Sequence, residues 1–318
     1  TEARKSEDVG VKQGGAPPTG KWVGSPLGGV TAPEPVIMPD PAERFANTAS
    51  RLRSLAAGHP MAEWLGFMAR LSEAQHTAAT TLPPMPAIDE ALIAQSVAVR
   101  FPPLAADGHH RHSAWRDGLG IILDSLDGAD LPAPAVAVMA ELRRRPADRL
   151  ESLADDFVRG ALDESDVGPG LYVAAALQVY FTRLAGGLDA QALRLLEQRG
   201  LCPCCGSTPI AGLVTASGPT PGTRYLYCSL CSTAWNHVRA LCITCENSRT
   251  LSLKGVEGDS GVVKAETCDD CHTYAKMLYQ AKDTKADPYA DDLASLGLDI
   301  MVSEAGWARH APNPLLLA

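Results

Sequence analysis

All nine cysteines of this 318-residue chain lie between Cys202 and Cys271, eight of them as four Cys-x-x-Cys pairs: Cys202/Cys205, Cys228/Cys231, Cys242/Cys245 and Cys268/Cys271. Cys242 follows Cys202 by 40 residues, and Cys268 follows Cys228 by 40, so the second half repeats the first in register. In each half, 22 residues separate one pair from the next. This is the spacing of a tetrathiolate metal site built from two knuckles, each placing two sulfurs on one ion. A disulfide scaffold is the competing reading. It belongs to short secreted chains dense in cysteine, whereas here 9 of 318 residues are cysteine and they crowd into one segment. Redox-active Cys-x-x-Cys chemistry is the other alternative.

A segment of about forty residues buries too little apolar surface to be stable alone. A structural zinc ion can supply the deficit, with apparent binding free energies of roughly 10–16 kcal/mol at neutral pH. Four thiolates leave no ligand position open for water or substrate, which favours a structural role. They also hold a single iron in rubredoxin-type sites, and spacing alone does not choose between zinc and iron. The repeat favours sequential closure, Cys202/Cys205 with Cys228/Cys231 and Cys242/Cys245 with Cys268/Cys271. A cross-braced pairing, first pair with third and second with fourth, stays open. Gly206, after the first knuckle, suits the turn that points amides at sulfur; Glu246 and His272 stand after the knuckles of the second half.

Other candidate ligands carry weaker signals. Cys204, inside the first knuckle, reads as a spectator thiol. His237 and His272 lie near the knuckles and read as surface residues or as support for the ligands. The run Gly108-His109-His110-Arg111-His112 reads as a solvated loop rather than a metal tract. Trp235 and Arg239 are expected to pack between the two cysteine units.

The rest of the chain is read from its punctuation. Residues 1–34, with Gly14-Gly15, Pro17-Pro18 and Gly28-Gly29, show no apolar period and read as an extended or disordered tail. Asp40-Pro41-Ala42-Glu43 is a helix-start signature, and Gly58-His59-Pro60 stops the helix it opens. A second helix follows, with Trp64, Phe67, Met68 and Leu71 at helical spacing. Residues 79–112 are proline-rich connection with a turn of helix near Glu90. Helices resume over Ser113–Leu126, Ala135–Arg144, Pro146–Leu162 and Leu171–Ala185, the last apolar nearly all round and therefore central. Beyond Cys202 come short β runs, Pro209–Thr215, Thr223–Tyr227, Leu251–Val256 and Val262–Ala265, so that each half forms a hairpin-and-knuckle unit. Residues His272–Lys282 and Asp291–Ala305 read as helices, and the apolar run Asn313 to Leu317 favours burial.

The expected architecture is thus multidomain: an all-α helical domain (35–199), two tandem rubredoxin-like, zinc-ribbon-like modules of four cysteines each (200–240 and 241–280), and a C-terminal helix and tail (281–318) packing back on the body. Composition narrows the function. Hydrophobic residues make up 46% and charged residues 20%, with a net charge of −9. Residues 200–280 hold six basic and six acidic side chains, and a divalent ion with four thiolates adds about −2 per site. A nucleic-acid ribbon needs a positive face, so nucleic acid is not the expected partner. No apolar run approaches membrane-spanning length, and no secretory signal is evident at the start, so the cytoplasm is expected and stable membrane insertion is not. No Ser-His-Asp set, phosphate loop or paired carboxylates suggest an enzyme.

Several segments, taken in order, resemble the formate dehydrogenase accessory protein family, FdhE. They are Pro-Glu-Pro-Val-Ile-Met-Pro-Asp-Pro at 33–41, Arg-Leu-Arg-Ser-Leu-Ala-Ala-Gly-His-Pro at 51–60 and Val-Ala-Ala-Ala-Leu-Gln-Val-Tyr at 173–180. Cys-Ser-Leu-Cys-x-x-x-Trp-x-x-x-Arg from Cys228 to Arg239, Glu-Thr-Cys-x-x-Cys at 266–271 and Asp-Asp-Leu-Ala-Ser-Leu at 291–296 complete the pattern. The resemblance implies a helical domain followed by two rubredoxin-like modules. It also implies a cytoplasmic, non-enzymatic assembly factor that binds the catalytic subunit of a respiratory molybdenum or tungsten formate dehydrogenase before twin-arginine export. The eight paired cysteines would then be the ligands of two metal ions, with iron the family's suggestion and zinc the alternative. Cys204 departs from the pattern, since an apolar residue usually fills that place, and residues before 33 match nothing in it. A rubredoxin-like electron carrier is the alternative function.

Overall fold

Asp40 opens the helical region as its type requires: its Oδ1 accepts from Ala42 N at 2.8 Å, and its carbonyl accepts from Arg44 N at 3.0 Å. The structure is a computed structural model that describes residues 32–128, 130–218 and 220–316. Most of the expected tail, residues 1–31, lies outside the described residues, as does Leu317. Seven helices follow in order: α1 (Arg44–Ala56), α2 (Ala62–Thr81), α3 (Glu90–Ala98), α4 (Ala114–Ser125), α5 (Ala133–Arg144), α6 (Ala147–Arg159) and α7 (Val167–Gly186). The helix near Glu90 is longer than the expected single turn. It is capped by Asp89, whose side chain accepts from Ala91 N at 2.9 Å, and buries none of its residues.

Helix α7 is central, as its all-round apolar surface dictates. Residues 172–182 are buried without interruption, and α2, α4, α5 and α6 pack around the helix. Gln178, the polar interruption in that run, is fully used. It accepts from Gln75 Nε2 at 2.9 Å and donates to Ser229 O at 2.8 Å, so a buried amide ties the central helix to the cysteine region.

The strands are β1 (Val36–Ile37), β2 (Pro209–Val214), β3 (Arg224–Cys228), β4 (Ala234–Asn236), β5 (Leu251–Lys254), β6 (Val263–Cys268), β7 (Thr273–Tyr279) and β8 (Ala308–Arg309). Both cysteine units contribute to one sheet, ordered β1-β4-β3-β2-β7-β6-β5, with β8 beside β7. The units join where β2 runs parallel to β7, Gly212 opposite Met277 and Leu213 opposite Leu278. A Cβ on Gly212 would stand 2.5 Å from Met277 Sδ, so the methionine side chain lies over the glycine where the two strands meet.

Two readings are corrected. His272–Lys282 is not a helix: β7 occupies it, paired with β6 on one side and β2 and β8 on the other. Asp291–Ala305 is not one continuous helix but α8 (Ala290–Ala294) and α9 (Leu296–Glu304), broken at Ser295. The C-terminal segment is fastened by buried charge. Lys276 and Asp292 are both fully buried; Lys276 Nζ lies 3.3 Å from Asp292 Oδ1 and also pairs with Asp299, while Arg309 pairs with Asp292. Asn313 Nδ2 donates to Asp292 Oδ2 at 2.6 Å. On the helical side, Arg51 donates from Nε to Asp291 Oδ2 at 2.9 Å and from Nη2 to Oδ1 at 2.7 Å, a two-pronged pair. The segments 51–60 and 291–296 therefore meet in space. His59 Nε2, 3.0 Å from Ala294 O, adds a second tie between them.

Candidate metal centre

Each cysteine pair sits in a tight turn whose closing residue has left-handed backbone. Gly206, Ser232, Glu246 and His272 follow the second cysteine of each pair, with φ of 78°, 60°, 58° and 52°. Glycine is thus not required for the knuckle. The non-glycine residues adopt a conformation that costs L-residues roughly 1–2 kcal/mol, and the turn is the same in both halves. Cys202 N donates to Ser207 O and Cys242 N to Asn247 O, each at 2.9 Å. Amides then point at sulfur: Leu230 N and Cys231 N each approach Cys228 Sγ at 3.4 Å, and Thr244 N approaches Cys242 Sγ at 3.4 Å. A threonine two residues past the last cysteine completes each set: Thr233 Oγ1 lies 3.2 Å from Cys231 Sγ, and Thr273 Oγ1 3.1 Å from Cys271 Sγ. Sequence reasoning missed these threonines, although their 40-residue spacing was there to read.

The sulfurs gather sequentially, not cross-braced. Cys202, Cys205, Cys228 and Cys231 form one group and Cys242, Cys245, Cys268 and Cys271 the other, the four sulfurs of each lying within 4.8 Å of one another. In the first group, Cys202 Sγ is 3.5 Å from Cys231 Sγ and Cys205 Sγ 3.4 Å from Cys228 Sγ. The matching distances in the second, Cys242 to Cys271 and Cys245 to Cys268, are both 3.7 Å. The donor set fits a cation. Burial pushes the Cys202 and Cys228 thiols well above their ordinary range, whereas hydrogen bonds from the neighbouring sulfurs outweigh burial and hold Cys231 well below it. A divalent ion removes the burial penalty, because a coordinating thiol is deprotonated outright. Either group can hold one metal ion through its four sulfurs.

The two groups differ in their surroundings. All four cysteines of the first are buried, and the rest of the chain is laid over them. Leu104 N donates to Cys204 O and Ala106 N to Cys205 O, both at 2.9 Å. Gln178 reaches Ser229 O, and Tyr289 Oη donates to Cys228 O at 3.0 Å. In the second group Cys242 and Cys268 are buried, Cys271 is half-buried and Cys245 is exposed.

The remaining candidates fall outside both groups. Cys204 is buried, with its thiol pushed well up by the neighbouring Cys231 sulfur and by burial, and it stands outside both groups. His237 is buried rather than superficial: Arg224 donates to its Nδ1, and burial next to that guanidinium lowers its pKa to about 4. His272 is exposed. His109 Nε2 lies 3.3 Å from Tyr180 Oη, which also accepts from His112 N at 3.0 Å, so this loop docks on α7 and joins no metal-holding group among the described residues. Trp235 belongs to the core shared with the helices and donates to Arg199 O at 2.9 Å. Arg239 is exposed beside Gly222. Of the pair expected to pack between the units, Trp235 turns into the core shared with the helices, while Arg239 lines a surface cleft with Leu251 and Glu266 of the second unit.

Comparison with known proteins follows the same order along the chain. Family models described as FdhE N-terminal, FdhE central domain and FdhE C-terminal domain match residues 33–197, 201–239 and 240–316. An FdhE homolog of Edwardsiella ictaluri is 39% identical over 286 residues, 89% of this chain and 91% of that protein. The FdhE protein of Escherichia coli K12 is 35% identical over 283 residues, 89% of this chain and 91% of its own length. The crystal structure of the FdhE protein from Pseudomonas aeruginosa superposes with a TM-score of 0.81 at 35% identity, over 89% of this chain and 98% of that one.

Proposed function

This chain belongs to the FdhE family, and from that premise we propose that it is a cytoplasmic accessory protein that binds the catalytic subunit of a formate dehydrogenase and supports its maturation before export. In this reading Cys202, Cys205, Cys228 and Cys231 hold one metal ion, and Cys242, Cys245, Cys268 and Cys271 a second. Each ion is iron or zinc, iron being what the family resemblance suggests. In this reading neither ion is a catalytic centre, since four thiolates complete a tetrahedral ion and leave no position for a substrate.

One observation carries the reading. The first thiolate cage lies directly beneath the helical domain, joined to it through Gln178 and through Leu104 and Ala106. Metal at that cage would fix the segments over it and so hold the helical surface in one shape for a client, with most of the recognition falling to the helices. Among the described residues no helix is long and apolar enough to cross a membrane.

Co-purification tests this. A tagged wild-type chain should retain a formate dehydrogenase catalytic subunit, while Cys228→Ala should lose one metal equivalent and most of that retention. Unchanged retention and unchanged client activity in Cys228→Ala would remove the modules from the account.

The exposed Cys245 favours a second reading, a rubredoxin-like electron carrier, since electrons need a ligand close to the surface. That reading requires iron at the second site and the visible charge-transfer bands of ferric thiolate. Anaerobic purification with zinc alone would exclude it.

A further inference from the structure

The two cysteine groups share spacing, knuckle backbone and supporting threonines, so any difference in their behaviour comes from what covers them. The first group is sealed. Its four cysteines are at most 1% exposed, and three of its knuckle carbonyls, those of Cys204, Cys205 and Cys228, accept hydrogen bonds from residues outside both units. Opening it means parting the loop at Leu104 and Ala106, the central helix at Gln178 and the C-terminal segment at Tyr289. The second group lies at the surface. Its outside ties are largely to exposed groups: Arg199 N donates to Glu246 Oε1 at 3.1 Å, Thr244 Oγ1 is 2.7 Å from His310 Nδ1, and Trp307 Nε1 donates to Asp269 Oδ1 at 3.2 Å. Water competes for each of these, and a knuckle held this way opens locally at small cost.

Resting on the reading that each group holds one metal ion, we infer that the second group, Cys242/Cys245/Cys268/Cys271, is an exchangeable and peroxide-responsive site, whereas the first is a permanent one. Exposed Cys245 is the sulfur a chelator or an oxidant reaches first, and Cys268, 3.7 Å from it, is the sulfur that answers. With the ion gone, the chemistry balances on a peroxide alone. The Cys245 sulfur attacks one peroxide oxygen, the O–O bond breaks and a sulfenic acid and one water form. The Cys268 sulfur then displaces the sulfenic oxygen as a second water, closing the disulfide. Two thiols lose two electrons and their two protons, and hydrogen peroxide takes them up as two waters. The pair Cys242 and Cys271, also 3.7 Å apart but less exposed, stays reduced at first. Oxidation would thus loosen the outer unit while the inner cage keeps the helical body intact.

The experiment uses the full chain loaded with two equivalents of zinc. A colorimetric chelator in excess should withdraw one equivalent at least about tenfold faster than the other, because only the inner site needs a larger opening. Stoichiometric hydrogen peroxide should release one equivalent. Mass spectrometry after alkylation should then find Cys245 joined to Cys268, with Cys202, Cys205, Cys228 and Cys231 unoxidised. Release of both equivalents at one rate, or oxidation of the first group before the second, overturns the inference while leaving two-site metal binding intact. A chain that takes up neither zinc nor iron overturns the metal reading and the inference with it. Cys245→Ser serves as the second measurement: it should keep one equivalent and lose the fast phase, and a surviving fast phase would assign exchange to the wrong site.

Discussion

Replacing Gln178 by leucine tests whether the helical body and the first cysteine cage behave as one unit. The side chain is 1% exposed and makes two buried bonds, to Gln75 Nε2 at 2.9 Å and to Ser229 O at 2.8 Å. Leucine fills most of the volume but leaves Ser229 O without its donor. Gln75 Nε2 keeps its other acceptor, Ala175 O at 3.0 Å, and is only half orphaned. An unsatisfied buried group costs about 1–3 kcal/mol, so the expected loss is about 2–4 kcal/mol. Denaturant unfolding of the metal-loaded protein measures it. The companion Gln75→Leu variant and the double variant close a cycle in which the double loss should fall short of the sum of the singles, because with both replaced neither Gln75 Nε2 nor Gln178 Oε1 is left to be stranded. The same Gln178→Leu variant should release metal from the first group faster and leave release from the second unchanged. A loss below about 0.5 kcal/mol, the range of neutral surface changes, or equal acceleration at both groups, would refute the claim that the central helix braces the inner knuckle.

Further outcomes follow from other parts of the molecule. Asp292→Ala should cost about 3–5 kcal/mol, since it leaves Lys276 and Arg309 buried beside too few acids, and limited proteolysis should then cut near residues 290–310. His272→Gly should raise stability by at most about 1 kcal/mol: relief of left-handed strain is partly offset by the freer unfolded chain, and a loss of stability would show that the exposed imidazole has a role. His237 is held neutral by burial, with a folded pKa of about 4 against an unfolded value of 6.5. Below pH 6.5 the unfolded chain therefore binds the extra proton, and stability present above that pH is lost as pH falls toward 4. The full effect is about 3 kcal/mol. Unfolding measured across that window in wild type and His237→Phe should show a slope that the variant lacks.

The helices were legible because their signals are local. Asp40 and Gly58 act within a turn of themselves, and α7 announces its burial by lacking a polar face. Strand β7 was not legible. It is paired on both sides, with one face buried and the other largely half-buried, so no exposed polar face marks it, and the partners that make it a strand, β6 and β2, lie elsewhere in the chain. Lys276 in its middle reads as a solvent-facing residue until Asp292 and Asp299 are placed around it.

The cysteine region divides along the same line. Which eight sulfurs gather, and in knuckles of two, is set by the chain itself, because two residues between cysteines make a turn that aims both sulfurs one way, and a 40-residue repeat builds it twice. Which of the two groups is sealed was decided only by the fold. Leu104, Gln178 and Tyr289 come from segments far from the knuckles in sequence and close together over the first group, while Cys245 is left exposed. Spacing fixes the ligands of a site, but burial depends on which distant segments pack against it, and no local pattern carries that information.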